Sequence, residues 1–183
     1  YVENKRLENA DVQTEVPVTD YVPEEYTSLS MPGKVSLGFH AIGGEGGNDT
    51  LENMVAEGKG INVIAPTWFS LVDNDGNFRS FASSQYVEKA HGYGLQVWGV
   101  WDNFNYKNET GAEVDSYQIL SYTAKRRQLA QNMVETSLGL GLDGINLDYE
   151  GLPQECGEHY AQFLKELSVL CRENGLVLSV DSY

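Results

Sequence analysis

Cysteine is scarce in this chain: Cys156 and Cys171 are the only two among 183 residues. Neither has His or Cys neighbours at metal-ligand spacing, which argues against a cysteine-based metal centre. Both fall on one expected helix. Fifteen residues of helix span roughly 22 Å, and a disulfide needs Cα atoms within about 7 Å, so packing residues or free thiols are expected. Basic residues are also few. Lys and Arg number 12 against 27 Asp and Glu, a net charge of −15. A phosphate backbone or an anionic bilayer would be repelled, so neither a nucleic-acid partner nor a membrane surface is expected. No apolar run approaches the ~20 residues of a membrane span, so no membrane insertion is expected. No signal-peptide pattern is present, and the first residue is Tyr1 rather than Met, as in a mature form or an excised piece. The glycines of Gly43-Gly44-Glu45-Gly46-Gly47 do not follow the G-x-G-x-x-G spacing, and no phosphate-loop Lys accompanies them. Nucleotide binding is thereby disfavoured, and no cofactor is expected.

What is present suits one domain with a substantial core: 41% of the residues are hydrophobic and 11% aromatic. Residues 1–33 carry Pro17, Pro23 and Pro32 and many acids, and read as an extended acidic leader or linker. From 34 to 183, short strand-like runs alternate with amphipathic stretches. Strands are expected at 35–40, 61–66 (continuing to Phe69), 95–101, 144–149 and 176–180. Helices are expected at 50–57, 85–91, 122–138 and 158–174. Asn48 or Asp49 is the expected cap of the first helix, and Ser83 or Ser84 that of the second. Asp73-Asn74-Asp75-Gly76-Asn77 reads as the tip of a small hairpin. It lacks the distal Glu of a calcium loop. This alternation predicts an α/β fold with a parallel sheet, either doubly wound or a (β/α) barrel.

The fourth strand carries the chemistry. Side chains alternate along a strand, so Ile145, Leu147 and Tyr149 share one face, and Gly144, Asn146, Asp148 and Glu150 the other. The apolar set suits burial under helices. The polar set climbs toward the strand's C-terminal end, where barrel active sites lie. Acids on such a face are costly unless they are paired or serve chemistry. Asp148 and Glu150, one pleat apart, should titrate as a coupled pair. Glu150, nearer the end, is the candidate general acid. No second carboxylate stands at a nucleophile position, which raises the possibility that the substrate supplies its own.

The segment Asp143-Gly144-Ile145-Asn146-Leu147-Asp148-Tyr149-Glu150 resembles the D-G-x-[DN]-x-D-x-E signature of glycoside hydrolase family 18. The stretches Asn62 to Phe69 and Ala90 to Asn103 are similar to its spore- and cell-wall-associated bacterial branch. The likeness spans about residues 34–183. It implies an eight-stranded TIM barrel, of which this chain supplies the first five strands. It implies a secreted glycosidase acting at the cell wall or spore surface on a glycan containing N-acetylglucosamine, such as chitin or peptidoglycan. The implied mechanism is retaining and substrate-assisted. Glu150 is acid then base, Asp148 positions the acetamido group, and Asp143 supports the strand. Asn146 falls where many chitinases carry an acid. A carbohydrate-binding, non-catalytic member of the same fold is the alternative. Trp68, Phe39 and Asn103 are candidate substrate contacts. Trp98 and Trp101 have opposite parity, so at most one lines the inner face; Trp101 is the one proposed to bind substrate. His40, His91 and His159 carry no assigned role. With five strands, the first and last edges would be open to pairing, including self-association.

Overall fold

The computed structural model describes residues 29, 31–104 and 114–181. Most of the expected leader, residues 1–28 and 30, lies outside the described residues. Among the described residues there are seven strands: β1 (Leu37–His40), β2 (Val63–Pro66), β3 (Phe69–Leu71), β4 (Phe78–Ser80), β5 (Gln96–Asp102), β6 (Gly144–Asp148) and β7 (Val177–Val180). Five α-helices accompany them: α1 (Leu51–Glu57), α2 (Ser84–Gly92), α3 (Ser116–Leu120), α4 (Thr123–Leu140) and α5 (Gly157–Glu173). β1, β2, β5, β6 and β7 lie side by side, each parallel to the next. Their order follows the chain without reversal, whereas a doubly wound sheet reverses at a switch point.

The second expected strand breaks in two. After Pro66, the Trp68 N–H bonds to the Pro66 carbonyl (2.9 Å), while the Thr67 hydroxyl accepts from Ile42 N–H (2.8 Å). The chain then resumes as β3 on the same side of β5, with Ser70 opposite Asp102. β3 and β4 form the expected hairpin. Asp73 closes its tip by accepting from the N–H groups of Asp75 (2.9 Å) and Asn77 (3.0 Å).

Ser83 caps α2 as expected, accepting from Tyr86 N–H. The expected cap of α1 differs. No side chain caps it, and the glycine-rich segment instead winds into a 3-10 turn, Glu45–Thr50. Asn48 is drawn elsewhere: its Oδ1 accepts from the Trp68 indole and its Nδ2 donates to the Phe81 carbonyl, both at 2.8 Å. Cys156 closes a second 3-10 turn just before α5, and Cys171 lies within that helix. Both are buried free thiols.

Register assigns the two faces of the sheet. Ile64, Val97, Trp101, Ile145, Leu147 and Tyr149 pack under the helices, joined by Tyr86 and Ala90 of α2, Leu129 and Met133 of α4, and Phe163 and Leu167 of α5. Each such aliphatic or aromatic side chain contributes about 1.5–3 kcal/mol when fully buried. Arg126 of α4 reinforces this layer. Its guanidinium makes a two-point contact with Glu166 of α5 (2.9 and 3.0 Å) and donates to the Leu120 carbonyl at 2.7 Å. The inner face holds Phe39, Val63, Ala65, Trp98, Val100 and Asn146; all but Phe39 are buried.

Candidate active site

Three polar residues of the β6 segment face inward, as parity predicts, and each has a different environment. Asn146 is fully buried. Its amide nitrogen donates to Ser179 Oγ (3.2 Å) and reaches Asp181 Oδ1 (3.5 Å), while its Oδ1 has no partner among the described residues. Asp148, one pleat higher, is half-buried. Burial pushes its carboxyl above the ordinary aspartate range, and the charges of Asp181 and Glu150 add to that push. Glu150 follows the end of the strand, and its side chain is exposed. A clamp fixes its backbone: Asn103 Oδ1 accepts the Glu150 N–H and Asn103 Nδ2 donates to the Glu150 carbonyl, both at 2.8 Å.

Two acids that the motif does not contain complete the group. Asp102 stands directly opposite Asp148 across the β5–β6 pair. Asp181 follows β7 and donates its N–H to the Leu147 carbonyl (2.9 Å), which sets it beside Asp148 on the other flank. Asp102 is only 6% exposed. Ser70 Oγ donates to its Oδ2 and Phe104 N–H to its Oδ1, each at 3.0 Å. Burial raises its carboxyl to about 6. Those two hydrogen bonds pull the other way, the charge of Asp148 adds to the rise, and Arg79 opposes it. The signal that could have found both acids was available: each has the parity of the inward residues of its own strand and sits at that strand's C-terminal end.

Glu150 opens onto a cleft of about 400 Å³ lined also by Asn103, Phe104, Val114, Ser116 and Pro153. Phe104 is 38% exposed there, a large apolar surface beside a carboxyl. The arrangement offers an accessible acid backed by a second carboxyl whose proton is held more tightly than usual.

Two expectations change. Trp68 is fully buried, edge-on to Phe69 and Tyr86, so neither face of its ring is open to a sugar. Trp101 lies on the helix side, stacked 4.1 Å from Phe69, and Trp98 is the indole that faces inward. Asn103 lines the cleft with its amide bonded to the Glu150 backbone and to Ser116 Oγ (3.2 Å). Asp143 sits at the opposite end of β6 from Glu150. Its Oδ2 accepts Val97 N–H and meets His91 Nε2, each at 2.8 Å, so it ties β6 to β5 and α2. Phe39 lies on the inner face and is half exposed.

Among the described residues, no group of three or more His, Cys, Asp or Glu is arranged to hold a metal ion, and no helix is long and apolar enough to cross a membrane.

No protein-family model and no curated protein sequence matches the chain. Solved structures share its fold. The chitinase from Chromobacterium violaceum superposes with a TM-score of 0.64 at 18% identity, over 81% of this chain and 45% of that one. The spore cortex-lytic enzyme SleL of Bacillus cereus gives 0.67 at 19% identity, over 80% and 34%. A chitinase from Bacteroides thetaiotaomicron gives 0.63 at 17%, over 80% and 46%. The chain thus spans less than half the length of each of these solved chains.

Proposed function

We propose that this chain is the acid-bearing part of a glycosidase domain of the family 18 type, cleaving β-linked N-acetylhexosamine glycans such as chitin or peptidoglycan. The observation that carries this reading is the pairing of an exposed Glu150, its backbone clamped at the mouth of a cleft, with Asp148 directly behind it on the same face. The shared fold with chitinases and a spore cortex-lytic enzyme supports it. So does the strand order, that of a (β/α) barrel arc, with β1 and β7 as the edges where further strands would add. Action outside the cell, at a wall or spore surface, follows from such substrates.

Glu150 protonates the glycosidic oxygen as general acid. The carbonyl oxygen of the substrate's own 2-acetamido group attacks the anomeric carbon, forming an oxazolinium ion and releasing the aglycone. Asp148 accepts the acetamido N–H, aligning that carbonyl and offsetting the positive charge that develops. Glu150, now ionised, removes a proton from water, which attacks the anomeric carbon and restores the acetamido group with retained configuration. Family 18 departs from the two-carboxylate scheme in this way. Phe39 and Phe104 present apolar surface to sugar faces.

The test is Glu150→Gln in the protein that carries this chain, assayed on chitin oligomers and peptidoglycan by mass spectrometry. Turnover is expected to fall about 10²–10⁴-fold. Unchanged turnover in the Gln variant rejects Glu150 as the acid. Glycan binding without cleavage by the wild-type protein would instead establish a carbohydrate-binding role.

A further inference from the structure

We propose that Asp102 is a positioning residue for Asp148, and that the two carboxyls, opposed on neighbouring strands, share one proton that orients Asp148 toward substrate. The inference rests on the glycosidase reading for its catalytic meaning and on geometry for its physical content.

Along β6, the deeper neighbour of Asp148 is Asn146, a neutral amide. The carboxyl opposed to Asp148 stands across the sheet, where Asp102 is its register partner. Parallel strands lie about 4.8 Å apart, so two inward carboxyls at one register meet closely. Two ionised carboxylates at that range repel, whereas one proton between them makes a hydrogen bond. Asp102 is built to hold its end still. It is buried, Ser70 Oγ and Phe104 N–H each hold one of its oxygens, and β3 exists as a separate strand that brings Ser70 opposite it. Its carboxyl, raised to about 6, is suited to carry the shared proton near neutral pH. With the proton on Asp102, its O–H donates to Asp148, which stays ionised and free to accept the acetamido N–H.

The other charged and titratable groups around the pair have defined places. Glu150 and Asp181 both raise Asp148. Arg79 of β4 reaches toward Ser70 Oγ (3.5 Å) and favours ionised Asp102. Behind the sheet, burial raises the phenols of Tyr149 and Tyr160, the latter to about 12, so both stay neutral through the range that matters.

The experiment is a carboxyl-carbon NMR titration of the free chain for wild type, Asp102→Asn and Ser70→Ala, with circular dichroism to confirm folding. In the wild type, the Asp148 curve is expected to be broad and two-step, as coupled sites require. In Asp102→Asn the step that Asp102 contributes near pH 6 should disappear from the Asp148 curve. Ser70→Ala removes a bond that favours ionised Asp102, so Asp102 should titrate higher and Asp148 lower. This variant keeps the test open if Asp102→Asn does not fold. An Asp148 curve that superimposes on wild type in a folded variant overturns the proposal. In parallel, the acid limb of kcat against pH should move in Asp102→Asn, and an unmoved limb in an active enzyme also overturns it. Absence of turnover by wild type defeats the glycosidase reading, and with it the catalytic role of the pair; the NMR result still decides whether the carboxyls are coupled.

Discussion

Asn103 shows how a side chain just past one strand can control a carboxyl at the end of the next. Its amide makes two bonds to the Glu150 backbone and one to Ser116. Asn103→Ala should therefore destabilise the fold by about 1–3 kcal/mol for the unmade bonds without abolishing it. It should nonetheless lower kcat by up to ~10²-fold, because a displacement of about 1 Å at the acid has that cost. KM should change little. Steady-state kinetics separate this from direct sugar contact, for which the larger effect would be on KM. Strand parity was sufficient to put Asp148 and Glu150 on one face, because β6 is regular through Asp148. It was insufficient for the indoles. Choosing between Trp98 and Trp101 needed the register with β6, and Trp68 falls in the break after Pro66, where alternation no longer holds. Asp102 and Asp181 carry a legible signal in their parity and strand-end position, while their place beside Asp148 belongs to the sheet rather than to any one segment.

At the scale of elements, strand–helix alternation was legible to within about two residues at most boundaries, since the longer helices carry buried apolar residues at helical spacing and the parallel strands are short apolar runs bounded by turn residues. The five-residue α3 went unseen because it is too short to show a period. The 3-10 turn of the glycine-rich segment was not legible, because nothing local signals the Asn48–Trp68 bond that organises it. Glycine at position 144 was legible as part of a motif, and its physical reason is now visible. A Cβ there would stand 2.8 Å from both Trp98 Cδ1 and the Val177 carbonyl oxygen. Gly144→Ala must push an indole or separate β6 from β7, and should destabilise by about 1–3 kcal/mol. Gly139 offers the comparison. It lies within α4, and nothing is within 4 Å of where its Cβ would be. Gly139→Ala should be stabilising by roughly 0.5–1 kcal/mol. Urea unfolding of the two variants tests the contrast; equal effects would remove the packing explanation for Gly144.

For the whole molecule, the shifted carboxyls set a definite dependence of stability on pH. Asp102 is raised to about 6 and Asp148 is also raised, so the folded state holds protons that the unfolded chain releases near pH 4. Their contribution is fully present below the ordinary aspartate value and is lost as pH rises through the folded values. Glu166 behaves oppositely: hydrogen bonds from Arg126 hold it below its ordinary value. For Asp73, burial pushes upward, but bonds from Asn77, Asp75 and Gly76 outweigh it and leave the carboxyl lowered. The stabilisation from these two is present above the ordinary carboxylate range and is lost as pH falls through their depressed values. The two groups therefore place maximum stability near pH 4, with a decline as pH rises from there to about 6. The net charge of −15 pushes the same way, since self-repulsion grows as carboxylates ionise. Salt separates the two causes: it screens repulsion between exposed charges but acts weakly on a buried pair. Thermal unfolding across pH 3–8 at low and high salt should show the decline above pH 4 shrinking with salt but persisting. In Asp102→Asn the persistent part should flatten. A decline that salt abolishes in the wild type would assign the effect to net charge and leave the buried carboxyls without a measurable part in it.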